Sequence, residues 1–375
     1  MGHWATRMFR CQLKSLHGHH GKRGKEGFQS KEWPCFLFDV GMALRLHVST
    51  VMDAGMVVRF WGVRGSVAGT AADCAHVGGN TSCVEVGIGD TTLILDGGTG
   101  LFRLGQKWGT RPGQAAVLFS HFHWDHIQGF PFFRPAYTAG NSFTLWGPRH
   151  DGLDVEAALS RQMQPPNFPA TLGAMRAQLH FKTIRPGDEF IVGAARVRAA
   201  LLNHPQGCLG YRITAGPVSL VYATDTELLA GGLLDPAVVD LARNADLLIH
   251  DAQYTDDEYY GRCGPSHKGW GHSTVTAACA VARAAGVKQL VLFHHDPTHD
   301  DKMIHRFEEQ ARGAFINVVA AREGMAIQLL PSKVQAVAKS YARRSPSAPL
   351  RGTGPVHRAG HGNRRQTPMA ASFRL

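Results

Sequence analysis

The chemistry-bearing residues concentrate in one short run, Ser120-His121-Phe122-His123-Trp124-Asp125-His126. His121, His123, Asp125 and His126 all carry side chains that can bind a metal ion. The run follows residues 115–120, an apolar stretch that reads as a strand. Residues two apart in an extended chain point to the same side, so His121 and His123 can converge on one point. A turn after them lets Asp125 and His126 address a second point. Imidazole nitrogens and carboxylate oxygens suit zinc and neighbouring first-row ions. Further candidates stand singly where predicted strands end: His204 after 197–202, Asp225 after 218–223, and His294 closing 289–294. Together they outline a metal site along one rim of a sheet. His295 is the nearest competitor for His294, but neighbours on a strand face opposite ways, so only one of them can serve and His294 is preferred.

Positioning these residues requires a regular frame, and the sequence supplies one. Strands are expected at 57–62, 83–88, 91–95, 115–120, 143–146, 190–192, 197–202, 209–214, 218–223, 246–250 and 289–294, with Gly89-Asp90 as a hairpin turn. Apolar spacing places helices at about 153–163, 235–243, 273–286 and 300–312. Ser273 or Thr274 caps the third, Gly286 ends it, and an Asp near 300 caps the fourth. Strands dominate the first half and strand–helix alternation follows. The fold class is therefore α/β (α+β), with two sheets and helices outside them. No internal repeat of fixed period is present.

The succession His-x-His-x-Asp-His, then a single His, Asp and His at later strand ends, resembles the metallo-β-lactamase-fold metallohydrolases. Trp61-Gly62-Val63-Arg64-Gly65-Ser66, Gly78-Gly79-Asn80-Thr81-Ser82-Cys83 and Leu95-Asp96-Gly97-Gly98-Thr99-Gly100 are similar to motifs of one branch. That branch holds RNase Z and its cyclic phosphodiesterase relatives. The resemblance spans about residues 57–330. It implies an αββα sandwich with two metals at one edge. His121, His123 and His204 would hold the first, Asp125, His126 and His294 the second, and Asp225 would bridge them. RNase Z-like enzymes also carry a His-Glu-Ala-Thr motif and a His-Ser-Thr motif. This chain has His250-Asp251-Ala252-Gln253 and His272-Ser273-Thr274. The resemblance thus assigns His272 as general acid and Asp251 as the carboxylate that orients it, with Asp125 joining them in the catalytic set. Asp251 is one methylene shorter than the family's Glu and must approach closer.

Composition bounds the rest. The chain has 375 residues with 44% hydrophobic content, enough for a substantial core, and no apolar run approaches membrane-spanning length. Seven scattered cysteines without a CxxC point to a reducing cytoplasm. Net charge is +11, but residues 1–55 carry +4 and residues 332–375 carry +9, which leaves −2 for 56–331. Residues 1–55 read as a disordered basic extension, with Met52 or Met56 as alternative starts. Residues 56–331 form the single hydrolase domain, and 332–375 a basic low-complexity tail. The tails can contact nucleic acid. The core's near-neutral charge argues instead for a small substrate.

The expected cofactor is zinc, two ions per subunit, with manganese or iron compatible with the donor set. Water shared between two such ions loses a proton near neutral pH and attacks phosphorus, while His272 protonates the leaving oxygen. The leading expectation is a phosphodiesterase for a small, cyclic phosphodiester. The alternatives are an RNase Z-like ribonuclease, a thioester or lactone hydrolase, and a metal-bound sensor with little turnover. Trp124 and Phe168 are the expected substrate contacts, with 151–180 closing over the site as a lid. Family members often pair, so a homodimer is expected; a membrane partner is not.

Overall fold

In the computed structural model, residues 55–331 are described, except 110–111. The readings for the first 54 residues and for 332–375 lie outside them. The described part contains two seven-stranded sheets. The first comprises β1 (Met56–Gly62), β2 (Cys83–Ile88), β3 (Thr91–Leu95), β4 (Gln114–Leu118), β5 (Ser142–Gly147), β6 (Gln178–Thr183) and β14 (Ala326–Leu329). Their order is β14-β1-β2-β3-β4-β5-β6. The second comprises β7 (Glu189–Val192), β8 (Ala195–Leu202), β9 (Cys208–Ala215), β10 (Val218–Ala223), β11 (Leu247–Asp251), β12 (Leu290–Phe293) and β13 (Val318–Ala320). It runs β13-β12-β11-β10-β9-β8-β7.

Alternation sets the faces. In β1, Met56, Val58 and Phe60 are buried while Arg59 is exposed. These residues join Val84, Val86, Leu93 and Leu118 of the first sheet to Val197, Tyr211, Tyr222, Ile249 and Leu292 of the second in one core. β10, buried at every position, lies inside the second sheet, paired with β9 antiparallel and β11 parallel. A second cluster covers the outer face of the first sheet, where Leu101, Leu104 and Leu159 meet Val117, Phe119 and Leu145. The layers are thus helix, sheet, sheet, helix.

The helices begin where the sequence offers caps. Asp154, Asp235, Thr274 and Asp300 each accept a backbone N–H of the turn they precede. Gly286 ends the helix Val275–Ala285 in the left-handed region. The helix Gly100–Lys107 and the strands β6, β13 and β14 were not expected from the sequence. The segment expected as a lid lines the cleft beside the site through Arg161, Asn167 and Phe168, while Val155, Leu159, Met163, Met175 and Ala177 anchor it in the outer core cluster and most of 164–174 is exposed.

Candidate metal centre

The site is built at strand ends. β3 delivers Asp96, β4 leads into His121, β8 into His204, β10 into Asp225 and β12 into His294; Asp251 is the last residue of β11. His123 precedes a one-turn helix, Trp124–Ile127, whose first turn presents Asp125 and His126. This is the turn that separates the two pairs of donors. Ser66, Asp96, Asp225 and His294 all adopt left-handed backbone, with φ of 61, 59, 49 and 61°. Such conformations cost about 1 kcal/mol or more apiece for non-glycine residues and gather where function over-determines the backbone. Here they turn each chain sharply as it leaves its strand.

The predicted donors converge into two groups that share Asp225. In the first, His123 Nδ1 lies 3.2 Å from His204 Nε2. Asp225 Oδ2 lies 3.6 Å from His121 Nε2 and 3.8 Å from His204 Nε2. In the second, His126 Nε2 lies 3.2 Å from His294 Nε2 and 3.2 Å from Asp125 Oδ2. Asp225 Oδ1 lies 3.3 Å from both His126 Nε2 and His294 Nε2. One carboxylate therefore offers a different oxygen to each group. His295 is turned away, with Nε2 3.1 Å from Ala321 O, and burial with Arg64 nearby lowers its pKa to about 3.

The far side of each ring is held by a neighbour, which fixes the nitrogen left for the centre. His126 Nδ1 meets Asp96 Oδ2 at 2.8 Å, His204 Nδ1 meets Gly271 O at 2.9 Å, and His121 Nδ1 meets Ser120 Oγ at 3.0 Å. Asp96 also accepts from Ser120 N and from Tyr222 OH. His294 Nδ1 meets Gln253 Oε1 at 3.0 Å, and Gln253 Nε2 reaches Ser66 Oγ and Asp296 Oδ2. Ser66 N donates to Asp125 Oδ2 at 2.8 Å. Gly65 is glycine because the His294 ring lies against it: a Cβ there would come within 2.4 Å of the imidazole. Gln253 and Ser66 carried no assigned role in the sequence reading. Their signal was position alone, beside the His-Asp-Ala motif and at the end of the Trp61–Ser66 motif.

These residues fit a pair of divalent cations. Asp96, Asp125, Asp225 and Asp251 are buried together, and their ion-pair partners are histidines rather than Lys or Arg. Buried carboxylates at this density call for added positive charge. Burial would raise the Asp125 and Asp225 carboxyls, but His126 and His294 hold both well below the usual carboxylate range. Burial and His126 hold His121 well below the ordinary imidazole value, in the neutral form that ligates, and its Nε2 has no hydrogen-bond partner. Burial opposes charging of His126 as well, yet Asp225, Asp125 and Asp96 push its pKa well up, and a cation held there would take the place of that proton.

His272 lies beside the donors. Its ring stacks on His294 with centroids 4.9 Å apart, and Asp251 Oδ2 accepts from Nδ1 at 2.7 Å. His272 and Asp251 also fall within reach of Asp225 and His294 as a third donor set. Burial lowers the pKa of His272, but Asp251 outweighs it and lifts the value to about 9. A cleft of about 630 Å³ opens beside His121 and His123, and Trp124, Phe132, Arg161 and Phe168 line it. Trp124 is 76% exposed at its rim, and Phe168 packs edge-on against Phe132.

This fold and donor set define a metal-dependent hydrolase of the metallo-β-lactamase type. Residues 91–295 match the beta-lactamase superfamily domain, and the chain belongs to that superfamily. A ribonuclease Z of Gemmatimonas aurantiaca is 26% identical over 304 residues, covering 70% of this chain and 94% of the relative. The metallo-beta-lactamase fold protein YhfI from Bacillus subtilis superposes with a TM-score of 0.54 at 21% identity, covering 74% of this chain and 100% of its own. Zn(2+)-bound PqqB from Methylobacterium extorquens gives a TM-score of 0.57 at 18% identity, with coverage of 73% and 100%.

Proposed function

We propose that the protein is a phosphodiester hydrolase with a two-metal centre. The carrying observation is the division of Asp225 between the two donor groups, with the Asp251–His272 pair alongside. His121, His123 and His204 would hold one ion, Asp125, His126 and His294 the other, and Asp225 both. Zinc suits this nitrogen and oxygen donor set. When bound, such ions supply Lewis-acid charge for the phosphoryl oxygens and lower the pKa of water.

The chain's own groups do the rest. Asp251 holds the Nδ1 proton of His272, which leaves Nε2 to carry the proton that passes to the departing oxygen as the P–O bond breaks. Gln253 and Asp96 keep the rings of His294 and His126 from turning. Trp124 and Phe168 offer faces on which a base or aryl ring of the substrate can stack.

Two substrate readings share this chemistry. A small cyclic or linear diester fits the cleft, while relatives named ribonuclease Z favour RNA. Zinc-loaded protein should hydrolyse bis(p-nitrophenyl) phosphate, and His272→Ala should lower kcat by about 100-fold or more with metal content unchanged. A panel of 2′,3′-cyclic nucleotides and 3′-extended RNA then separates the two readings. Absence of diester hydrolysis by metal-replete protein, with turnover of a thioester or lactone instead, would overturn the proposal.

A further inference from the structure

A second cavity, of about 710 Å³, lies on the other side of His204. The first cleft is lined by His123 and Gln206, this one by His204 and Pro205. His123 of the first cleft lies 3.2 Å from His204 of the second, so both cavities border the donor cluster. The first is walled mainly by Trp124, Phe132 and Phe168 with Arg161 among them, and the second by Tyr259, Tyr260 and Lys268.

We propose that this second groove is a subsite for phosphate, in which Lys268 holds the phosphate one nucleotide away from the scissile diester. The inference rests on the phosphodiesterase reading and extends it to substrates with a second phosphate. Lys268 stands four residues before His272, so their Cα atoms are at most about 15 Å apart along the chain. Its ammonium sits 4.5 Å over the Tyr260 ring. Among the described residues no carboxylate comes within ion-pair distance of it. Arg262 approaches the same ring at 5.2 Å but is tied to Asp257 at 2.9 Å.

The carboxylate that lines the groove is already engaged. Glu227 accepts from Tyr259 OH at 2.7 Å, Gly269 N at 2.7 Å and Gly271 N at 2.8 Å. Those bonds fix the loop bearing Lys268, and the same loop supplies the Gly271 carbonyl that orients His204. Gly231-Gly232, with φ of 79 and 76°, also lines the groove, and neither glycine carries a side chain into it. An ammonium offers three donors and a compact charge, which suits a phosphate in any orientation.

The test uses full-length, zinc-loaded protein and compares wild type with Lys268→Ala and Lys268→Arg. The substrates are bis(p-nitrophenyl) phosphate and UpU, with one phosphate each, and UpUpU, with two. Lys268→Ala should raise KM for UpUpU about tenfold with kcat unchanged, and leave both single-phosphate substrates unaffected. Lys268→Arg should retain most of the affinity. A parallel arm measures Kd for UpUpU against salt on zinc-loaded protein in the slow His272→Ala background, with and without Lys268→Ala, so that binding is read without appreciable turnover. Loss of one contact should flatten the slope of log Kd by about 0.7. Equal KM, Kd and salt slope for wild type and Lys268→Ala would overturn the subsite, as would an equal loss on all three substrates. Failure of wild type to cut any diester would overturn the phosphodiesterase reading, and the binding arm would still decide the subsite.

Discussion

Asp251 Oδ2 stands 2.7 Å from His272 Nδ1, and Asp251 Oδ1 accepts the backbone N–H groups of Gln253 and Ser273. The shorter side chain thus reaches its histidine without difficulty, because it closes β11 directly beneath the ring and both its oxygens are engaged. Asp251→Asn keeps the Oδ1 acceptor but turns an amide N–H toward Nδ1. It should therefore force the other tautomer and lower kcat by about 100-fold or more, with metal stoichiometry retained. Steady-state kinetics with elemental analysis of the same sample checks this.

Gln253 governs the ring of His294 through one 3.0 Å hydrogen bond. Gln253→Ala removes the hydrogen bond at that Nδ1 and leaves only the longer 3.8 Å approach of Asp251 Oδ2 to hold it. Affinity at the second donor group should fall by about 10- to 100-fold, read by chelator competition. An unchanged affinity would mean that packing of Gly65 against the ring suffices.

Removal of metal should destabilise the fold. Four buried carboxylates would then have histidines as their only cationic partners, and a cation that binds the native state alone contributes RT ln(1 + [L]/Kd). At a hundredfold excess over Kd that is about 2.7 kcal/mol. Calorimetry before and after chelation should show a lowered Tm that zinc restores.

Away from the centre, Glu258 links the Thr255 capping box to His299. Its Oε2 accepts from Thr255 N and Oγ1, and its Oε1 pairs with His299 Nε2 at 2.8 Å. Burial would raise its pKa, but His299 and the Thr255 donors depress it from 4.5 to about 2. A depressed carboxyl stabilises the fold above its unfolded pKa and loses that contribution as pH falls from about 4.5 to about 2. Glu258→Gln should cost on the order of 1 to 3 kcal/mol at neutral pH, with the difference from wild type vanishing near pH 2. Denaturant titrations across that range give the comparison.

Much of the centre was legible in the sequence because its donors are chemically distinctive and sit at strand ends. Two sheets with helices outside were read from the strand pattern, and the αββα order from the resemblance to the metallo-β-lactamase fold. What escaped notice lacks such signals. β6 is an edge strand in which Leu179 and Phe181 alternate with polar neighbours, but two apolar residues are too few for the period to stand out. The helix Gly100–Lys107 contains two glycines and reads as loop, although Leu101 and Leu104 bury one side of it. β13 and β14 have three and four residues, too few for a period to register. The orienting role of Gln253 depends on a contact across 41 residues, which spacing cannot reveal.

Asp225 gives one oxygen to each half of the centre, and this makes the halves dependent on one another. Drawing Oδ2 toward His121 and His204 sets the plane of the carboxylate, and with it the aim of Oδ1 at His126 and His294. Under the two-metal reading, binding at one donor group would therefore shape the other. Titration with zinc should follow a sigmoidal course, with singly loaded molecules scarce at every intermediate ratio.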